Sequence, residues 1–171
     1  MMYLNHYESP LGKIIMASDG DALTGLWFDG QKHFSLSPGA EMHCSRLDVF
    51  DETARWLDVY FSGKAPDFTP LLRPTGTEFR QSVREILLTI PYGETMTYGE
   101  IADRIARQKG LRRMSAQAVG GAVGHNPVSI IIPCHRVIGA NGSLTGYAGG
   151  IERKRKLLAM EGALSQCNLS C

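Results

Sequence analysis

The segment Asn126-Pro127-Val128-Ser129-Ile130-Ile131-Ile132-Pro133-Cys134-His135-Arg136-Val137-Ile138-Gly139 holds the residues best suited to chemistry. Its cysteine ends an apolar run, follows a proline and precedes a histidine and an arginine. Cysteine reacts as the thiolate, and a free thiol with a pKa of about 8.5 is mostly protonated at neutral pH. A basic partner can take that proton, and a neighbouring cation stabilises the anion. Successive residues of a strand face opposite ways, so Cys134 and His135 would communicate through a turn or a water. A third group should orient the imidazole, and Glu161 is the best distal carboxylate. The competing reading is a buried structural thiol, since free cysteine is among the most buried residue types. Against it stand the Pro-Cys-His-Arg setting and the glycine-rich stretch from Gly139 to Gly150. Those glycines permit close backbone approach to a flat or bulky group, or else form ordinary hairpin turns.

The elements that must position these residues are legible in the hydrophobic pattern. Tyr3–Tyr7, Lys13–Ala17 and Ala22–Phe28 read as a β-meander, separated by Ser9-Pro10-Leu11-Gly12 and Asp19-Gly20-Asp21. Residues 31–46 carry no clear period. Phe50, Ala54, Leu57 and Phe61 recur at helical spacing and predict an amphipathic helix over 47–61, ended by Gly63. Pro66, Pro70 and Pro74 then break the chain, and the domain boundary is expected there, dividing it into 1–73 and 74–171. Beyond it Thr77 can cap a helix carrying Phe79, Val83, Ile86 and Leu87, and Pro91-Tyr92-Gly93 ends it. Thr97-Tyr98-Gly99-Glu100 reads as a capping box, and Ser115 caps the next helix. Helices at about 98–107 and 115–124, joined by the basic loop with Lys109, Arg112 and Arg113, form a helix-turn-helix-like pair. Taken alone, that pair suits either a DNA contact or a hairpin packed in a core. Val128–Ile132 is a candidate buried strand, and Ile151–Met160 the last helix, stopped near Gly162. The polar tail 164–171 is expected to be disordered.

Composition narrows the classes. The 171 residues are 43% hydrophobic and 20% charged, a globular profile. The longest apolar run, near Val128–Ile132, is far below the roughly 20 residues that span a bilayer, so no membrane is expected. The N-terminus lacks the basic start and apolar core of a signal peptide, and four cysteines fit a reducing cytosol, so a cytoplasmic location is expected. Net charge is +1, but residues 1–75 carry 6 basic and 10 acidic side chains while 76–171 carry 12 and 7. An anionic partner would therefore dock on the C-terminal half.

The block Pro133-Cys134-His135-Arg136-Val137-Ile138 resembles the active-site signature of O6-alkylguanine-DNA alkyltransferases, the methylated-DNA–protein-cysteine methyltransferases. The resemblance extends through Thr77-Glu78-Phe79, Ile90-Pro91-Tyr92-Gly93, Thr97-Tyr98, Ala118-Val119-Gly120, Asn126-Pro127, Gly146-Tyr147-Ala148-Gly149-Gly150 and Leu157-Leu158-Ala159-Met160-Glu161-Gly162, covering most of 77–162. The N-terminal part is similar only through Ser9-Pro10-Leu11-Gly12 and Phe61-Ser62-Gly63. The resemblance implies an α/β (α+β) fold: an N-terminal ribonuclease-H-like β-sheet with a helix, then a C-terminal helical winged-helix or helix-turn-helix-like domain carrying the active-site cysteine. It implies DNA repair by direct reversal, with one alkyl group passing irreversibly from O6-alkylguanine, or O4-alkylthymine, to Cys134. The partner would be double-stranded DNA, met in the minor groove with the damaged base flipped out.

Residue by residue, the resemblance makes Cys134 the acceptor, His135 its base through a water, Glu161 the carboxylate that orients His135, and Asn126 a hinge. Tyr98 would contact the guanine and stabilise its departing anion. Tyr147, Val137, Ala148 and Gly149 would line the base pocket, with backbone at Cys134 and Val137 accepting from the guanine edge. The helix Ala116–His125 would enter the groove, its slim Ala116, Gly120, Gly121 and Gly124 admitting DNA and Arg112 and Arg113 meeting phosphate. Two positions depart from the family. Gln117 stands where members often carry an intercalating arginine, which predicts weaker or more salt-tolerant DNA engagement. Ala148 replaces a serine that some members use to bond the guanine oxygen.

No cofactor is expected, and no metal: His6, His33, His43 and Cys44 match no standard ligand spacing, nor does the pair Cys167 and Cys171. A monomer is expected, because a site for duplex DNA needs no second subunit. A non-reactive lesion sensor, a turnover thiol hydrolase using Cys134, His135 and Glu161, and a plain winged-helix regulator are the competing functions. The first would lack the cysteine, the second leaves the helix pair idle, and the third leaves the Pro-Cys-His-Arg segment unexplained.

Overall fold

The structure, a computed structural model, describes residues 1–32 and 42–167. Of the metal-ligand candidates, His33 and Cys171 lie outside the described residues. Contacts divide the chain into two units, residues 1–75 with 127–131 and residues 76–126 with 132–171. The first unit thus runs two residues past the division expected at 73/74 and also takes in the short segment 127–131, which joins it through backbone bonds. Leu26 N–H donates to Pro127 O and Ser129 N–H donates to Leu26 O, each at 2.8 Å.

The first unit is built on strands β1 (Met2–Ser9), β2 (Gly12–Ser18), β3 (Leu23–Phe28) and β4 (Met42–Cys44), in the order β3-β2-β1-β4. The expected meander is present. Ser9 pairs with Gly12 across a tight turn, where the Ser9 hydroxyl accepts from Leu11 N–H and donates to Gly12 O. β4 lies parallel to β1, a strand in the stretch that shows no period in sequence. Three residues are too few to display alternation. Helix α1 (Asp48–Phe61) lies where expected, but its buried face is Phe50, Thr53, Leu57 and Tyr60, with Ala54 and Phe61 only half-buried. Tyr60 and Trp56, both buried, stack with ring centroids 5.3 Å apart, so the helical period is kept but turned to include these two rings. Ile14, Leu23, Leu26, Phe28, Phe50 and Leu57 form the core.

The second unit contains α2 (Glu78–Leu87), β5 (Met96–Thr97), α3 (Tyr98–Gln108), α4 (Ala116–Gly124), β6 (Val137–Ile138) and α5 (Ile151–Met160). Each expected cap is formed. Thr77 accepts from Arg80 N–H, Ser115 accepts from Ala118 N–H, and Thr97 and Glu100 make a reciprocal capping box. Val119, Ile101, Ile105 and Val83 are buried where α2, α3 and α4 pack together, and Leu157 is buried on α5, which packs against the Cys134–Arg136 turn. Val128–Ile132 is buried as expected but is not a strand: only Val128 pairs, with Leu26, and the backbone then turns. Prolines at 127 and 133 bound the run, and Ile130 adopts φ +68°, a left-handed value that no strand tolerates. The tail also differs from expectation as far as residue 167. Leu164–Gln166 forms a 3-10 turn, held because Ala163 is buried and Gln166 Nε2 donates to Gly93 O at 2.8 Å. Among the described residues no helix is long and apolar enough to cross a membrane, and no cluster of three or more His, Cys, Asp or Glu could hold a metal ion.

Candidate active site

Pro133 presents no N–H and begins a one-turn 3-10 helix, Cys134–Arg136, in which Arg136 N–H donates to Pro133 O at 3.0 Å. The cysteine and histidine therefore sit on a tight helical turn, not on a strand. The next two residues form β6, which runs parallel to β5 with Val137 opposite Met96 and Ile138 opposite Thr97. Because Thr97 is also the cap of α3, the pairing brings the first α3 residue, Tyr98, to the cysteine segment. Helix α5 ends at Glu161, its C-cap, and delivers the carboxylate.

His135 is fully buried, and its Nε2 meets Glu161 Oε2 at 2.5 Å. Glu161 Oε1 accepts from Arg136 Nε at 2.7 Å and from Gly93 N–H at 3.1 Å. Arg136 also donates from Nη1 to Ile90 O at 2.7 Å and lies over the Tyr92 ring. The Ile90-Pro91-Tyr92-Gly93 turn is thus a cradle for the Arg136–Glu161 pair. Gly93 has φ +82°, and a Cβ there would stand 3.1 Å from Glu161 O, so both conformation and space call for glycine.

Electrostatics follow from this burial. Desolvation pushes the Cys134 thiol up, opposed by the Asn126 side chain, the Lys154 ammonium and backbone N–H groups of Cys134 and His135. Asn126 is held in place by donating from Nδ2 to Ile132 O at 2.9 Å. Desolvation pushes His135 down, outweighing the pull of Glu161 toward the charged form. Burial alone would raise Glu161, but His135 and Arg136 together hold its carboxyl below the ordinary value. The histidine is consequently neutral and the glutamate ionised at neutral pH, an arrangement chemically suited to a general base and the acid that orients it, next in the chain to a thiol.

Among the pocket candidates, Val137 and Gly149 are buried while Tyr98, Tyr147 and Ala148 are half-buried. Tyr98 receives a hydrogen bond from Thr145 Oγ1 at 3.0 Å, and burial, with Cys134, raises its phenol. On α4, Ala116, Gln117 and Gly121 are exposed, and Gly120 and Gly124 are half-buried. A Cβ on Gly121 or Gly124 would meet nothing within 4 Å, while one on Gly120 would touch the Tyr98 ring at 3.8 Å. Arg112 and Arg113 are exposed on the connection before α4. The structure therefore bonds His135 to Glu161 and sets Asn126 against the Cys134 thiol, the two pairs meeting at the Cys134–His135 peptide, and leaves Gln117, Arg112 and Arg113 on the surface.

Sequence reasoning passed over Lys154. Its side chain is fully buried, and its Nζ donates to Val137 O at 2.6 Å and to Thr145 O at 3.3 Å. Burial pushes its ammonium down to about 8, with Cys134 acting in the opposite direction. The signal was present: Lys154 stands three and four residues before Leu157 and Leu158, so the lysine shares the buried stripe of α5 with them. Arg136 was read as a nearby cation, but its role as the clamp on Glu161 depends on a turn 46 residues away.

Fold and site together define a chain with a helix pair and a buried Cys–His–Glu array. Two family models match it, "6-O-methylguanine DNA methyltransferase, ribonuclease-like domain" over residues 2–73 and "6-O-methylguanine DNA methyltransferase, DNA binding domain" over 78–163. The chain belongs to this family. A methylated-DNA–protein-cysteine methyltransferase of Mycobacterium tuberculosis is 43% identical over 99% of this chain and 98% of its own length. One of the same description from Methanosarcina acetivorans is 45% identical over 95% of this chain and 99% of its own length. A crystal structure of the M. tuberculosis protein in complex with DNA is similar at a TM-score of 0.81, with 42% identity, covering 98% of this chain and 96% of that one.

Proposed function

We propose that this protein is a methylated-DNA–protein-cysteine methyltransferase that repairs O6-alkylguanine in duplex DNA by moving the alkyl group irreversibly to Cys134. The observation that carries the reading is the His135–Glu161 pair beside the Pro-Cys-His-Arg cysteine, in a chain belonging to that family. Neutral His135 donates its Nε2 proton to Glu161 and carries a lone pair on Nδ1. That lone pair takes the Cys134 proton through a water, and Asn126, Lys154 and the local backbone N–H groups stabilise the sulfur anion. The thiolate attacks the alkyl carbon in line: an S–C bond forms, the C–O6 bond breaks, and the electron pair leaves with guanine. Tyr98 stabilises this guanine anion, which then takes up one proton. A thioether resists hydrolysis, so each molecule acts once.

The damaged base must leave the stack, at a cost of a few kcal/mol. Tyr147, Ala148, Gly149 and the backbone at Val137 receive it. The exposed face of α4 (Ala116, Gln117 and Gly121) supports minor-groove entry, with Gln117 filling the vacated stack. Arg112 and Arg113 bind phosphate. The protein acts as a monomer, since every proposed site residue belongs to one chain.

The test is direct. The protein is incubated with duplex DNA containing O6-methylguanine and digested with trypsin, and the peptide Met114–Arg136, whose sole cysteine is Cys134, is weighed. One methyl per protein on that peptide is expected. DNA binding without a mass change would replace this reading by a lesion sensor, and repeated turnover would replace it by a hydrolase.

A further inference from the structure

We propose that Thr145 and Lys154 form a latch that positions the Tyr98 phenol: Thr145 bonds its hydroxyl, and Lys154 fixes the backbone on either side of it. The inference rests on the proposed alkyl transfer and on the contact of Tyr98 with the departing guanine. Thr145 Oγ1 donates to the Tyr98 oxygen at 3.0 Å. The backbone carbonyl of the same threonine accepts from Lys154 Nζ at 3.3 Å, and the other carbonyl on that ammonium, at 2.6 Å, is Val137 O. Val137 begins β6, whose partner β5 leads directly into Tyr98. One buried ammonium is therefore bonded to the segment that holds the phenol's hydroxyl and to the strand that pairs next to its backbone.

The chemistry gives such a latch a use. A phenol offers one proton and accepts through its oxygen. With Thr145 as the donor, the oxygen is already engaged as an acceptor, and the phenolic proton is directed to the nucleobase. Burial keeps the Tyr98 phenol above its ordinary value, so it holds that proton at neutral pH. Immobilising a lysine with its charge buried is costly in both entropy and hydration. Two carbonyl partners offset part of that cost, at a place where an apolar residue would fill the helix stripe without it. Thr145 is half-buried and touches the reaction only through Tyr98, so it is a positioning residue.

The experiment measures single-turnover methyl transfer by the full chain at saturating O6-methylguanine duplex, alongside DNA affinity. Thr145→Val, of the same shape, should slow transfer about fivefold, the factor expected of one net hydrogen bond. DNA affinity should stay within about twofold, as for independent sites. Thr145→Ser should restore the rate. In a Tyr98→Phe background Thr145→Val should have no further effect, because the bond it removes is already gone. Lys154→Met should likewise slow transfer and reduce the effect of Thr145→Val. An unchanged rate in Thr145→Val, or equal slowing with and without the Tyr98 hydroxyl, overturns the latch. A rate unaltered by Lys154→Met removes the lysine from it. If Thr145→Val loses cooperative unfolding, Thr145→Ala takes its place in the same cycle. Failure of the unmodified protein to methylate Cys134 in this assay would refute the alkyl transfer itself, a result separate from any variant.

Discussion

The two units bury different things. Among the described residues, the first buries only hydroxyls besides its apolar core, at Ser18, Thr53 and Ser129. The second buries Arg84, Asn126, His135, Arg136, Lys154 and Glu161. A hydroxyl is satisfied locally, as when Thr53 Oγ1 donates to Val49 O one turn back along α1. A buried charge needs partners from several elements. Glu161 is held by the Cys134–Arg136 turn and by Gly93, and Lys154 by β6 and the Thr145 segment. Polar burial of that kind is weak evidence for stability and better evidence for a reactive site. Packing alone accounts for the first unit, whereas most of the second unit's buried polar groups are those of the proposed site, Arg84 excepted.

Substitutions can break that contrast. The largest effect is expected from Cys134→Ala, which should abolish methyl transfer while DNA binding, followed by mobility shift, persists; loss of both would mean a folding defect. Next is Glu161→Ala. It strips Arg136 and His135 of their shared anion and should cost about 3–5 kcal/mol in urea unfolding, with transfer slowed by about 10²-fold or more. The matched change in the first unit, Thr53→Val, should cost only about 1 kcal/mol and leave transfer per folded molecule intact. Equal costs for the two would erase the distinction.

A pH series sharpens it. His135 is pushed down by burial, so its protonation should cut transfer with a midpoint below the ordinary 6.5. Its folded value lies below its unfolded one, so the unfolded chain binds more protons as pH falls through that range, and stability is lost there. Glu161, also held low, adds a further loss as pH falls below its ordinary 4.5. Both signs agree, and urea midpoints should decline steadily on the acid side. A midpoint for transfer above 6.5 would contradict the neutral-histidine base. The smallest effect is expected on the surface. Gln117→Arg should tighten DNA binding at low salt and steepen the salt dependence by about one phosphate contact, leaving transfer at saturation alone. No change in either affinity or repair would show that position 117 does not enter the DNA.

Much of the molecule was legible before any coordinates. Thr77, Thr97 and Ser115 each predicted a helix start and each caps one, because a side-chain oxygen bonding an N–H three residues on is a purely local event. The turn at Ser9–Gly12 is local for the same reason. The misreadings came where distant partners decide. Val128–Ile132 reads as a strand by residue type, yet only Val128 finds a pairing partner and the backbone turns at Ile130, between two prolines. The buried face of α1 keeps the helical period but takes in Thr53, Trp56 and Tyr60 in place of Ala54 and Phe61. Leu164–Gln166 looked polar enough to be loose, but its order depends on Gly93, 73 residues earlier.

The same division runs through the site. Residue types alone nominated Cys134, His135 and Glu161, because a nucleophile, a base and an orienting acid are chemical identities that need no fold to be recognised, whereas Asn126 entered only through the family resemblance, as a hinge. What the tertiary structure decided is how they are charged and held. Arg136 meets Glu161 only because the Ile90–Gly93 turn cradles both, and Lys154 reaches Val137 and Thr145 only because α5 packs its inward stripe against that segment. Proton affinities are set by burial and by neighbours far apart in the chain. A linear sequence carries neither quantity until it folds.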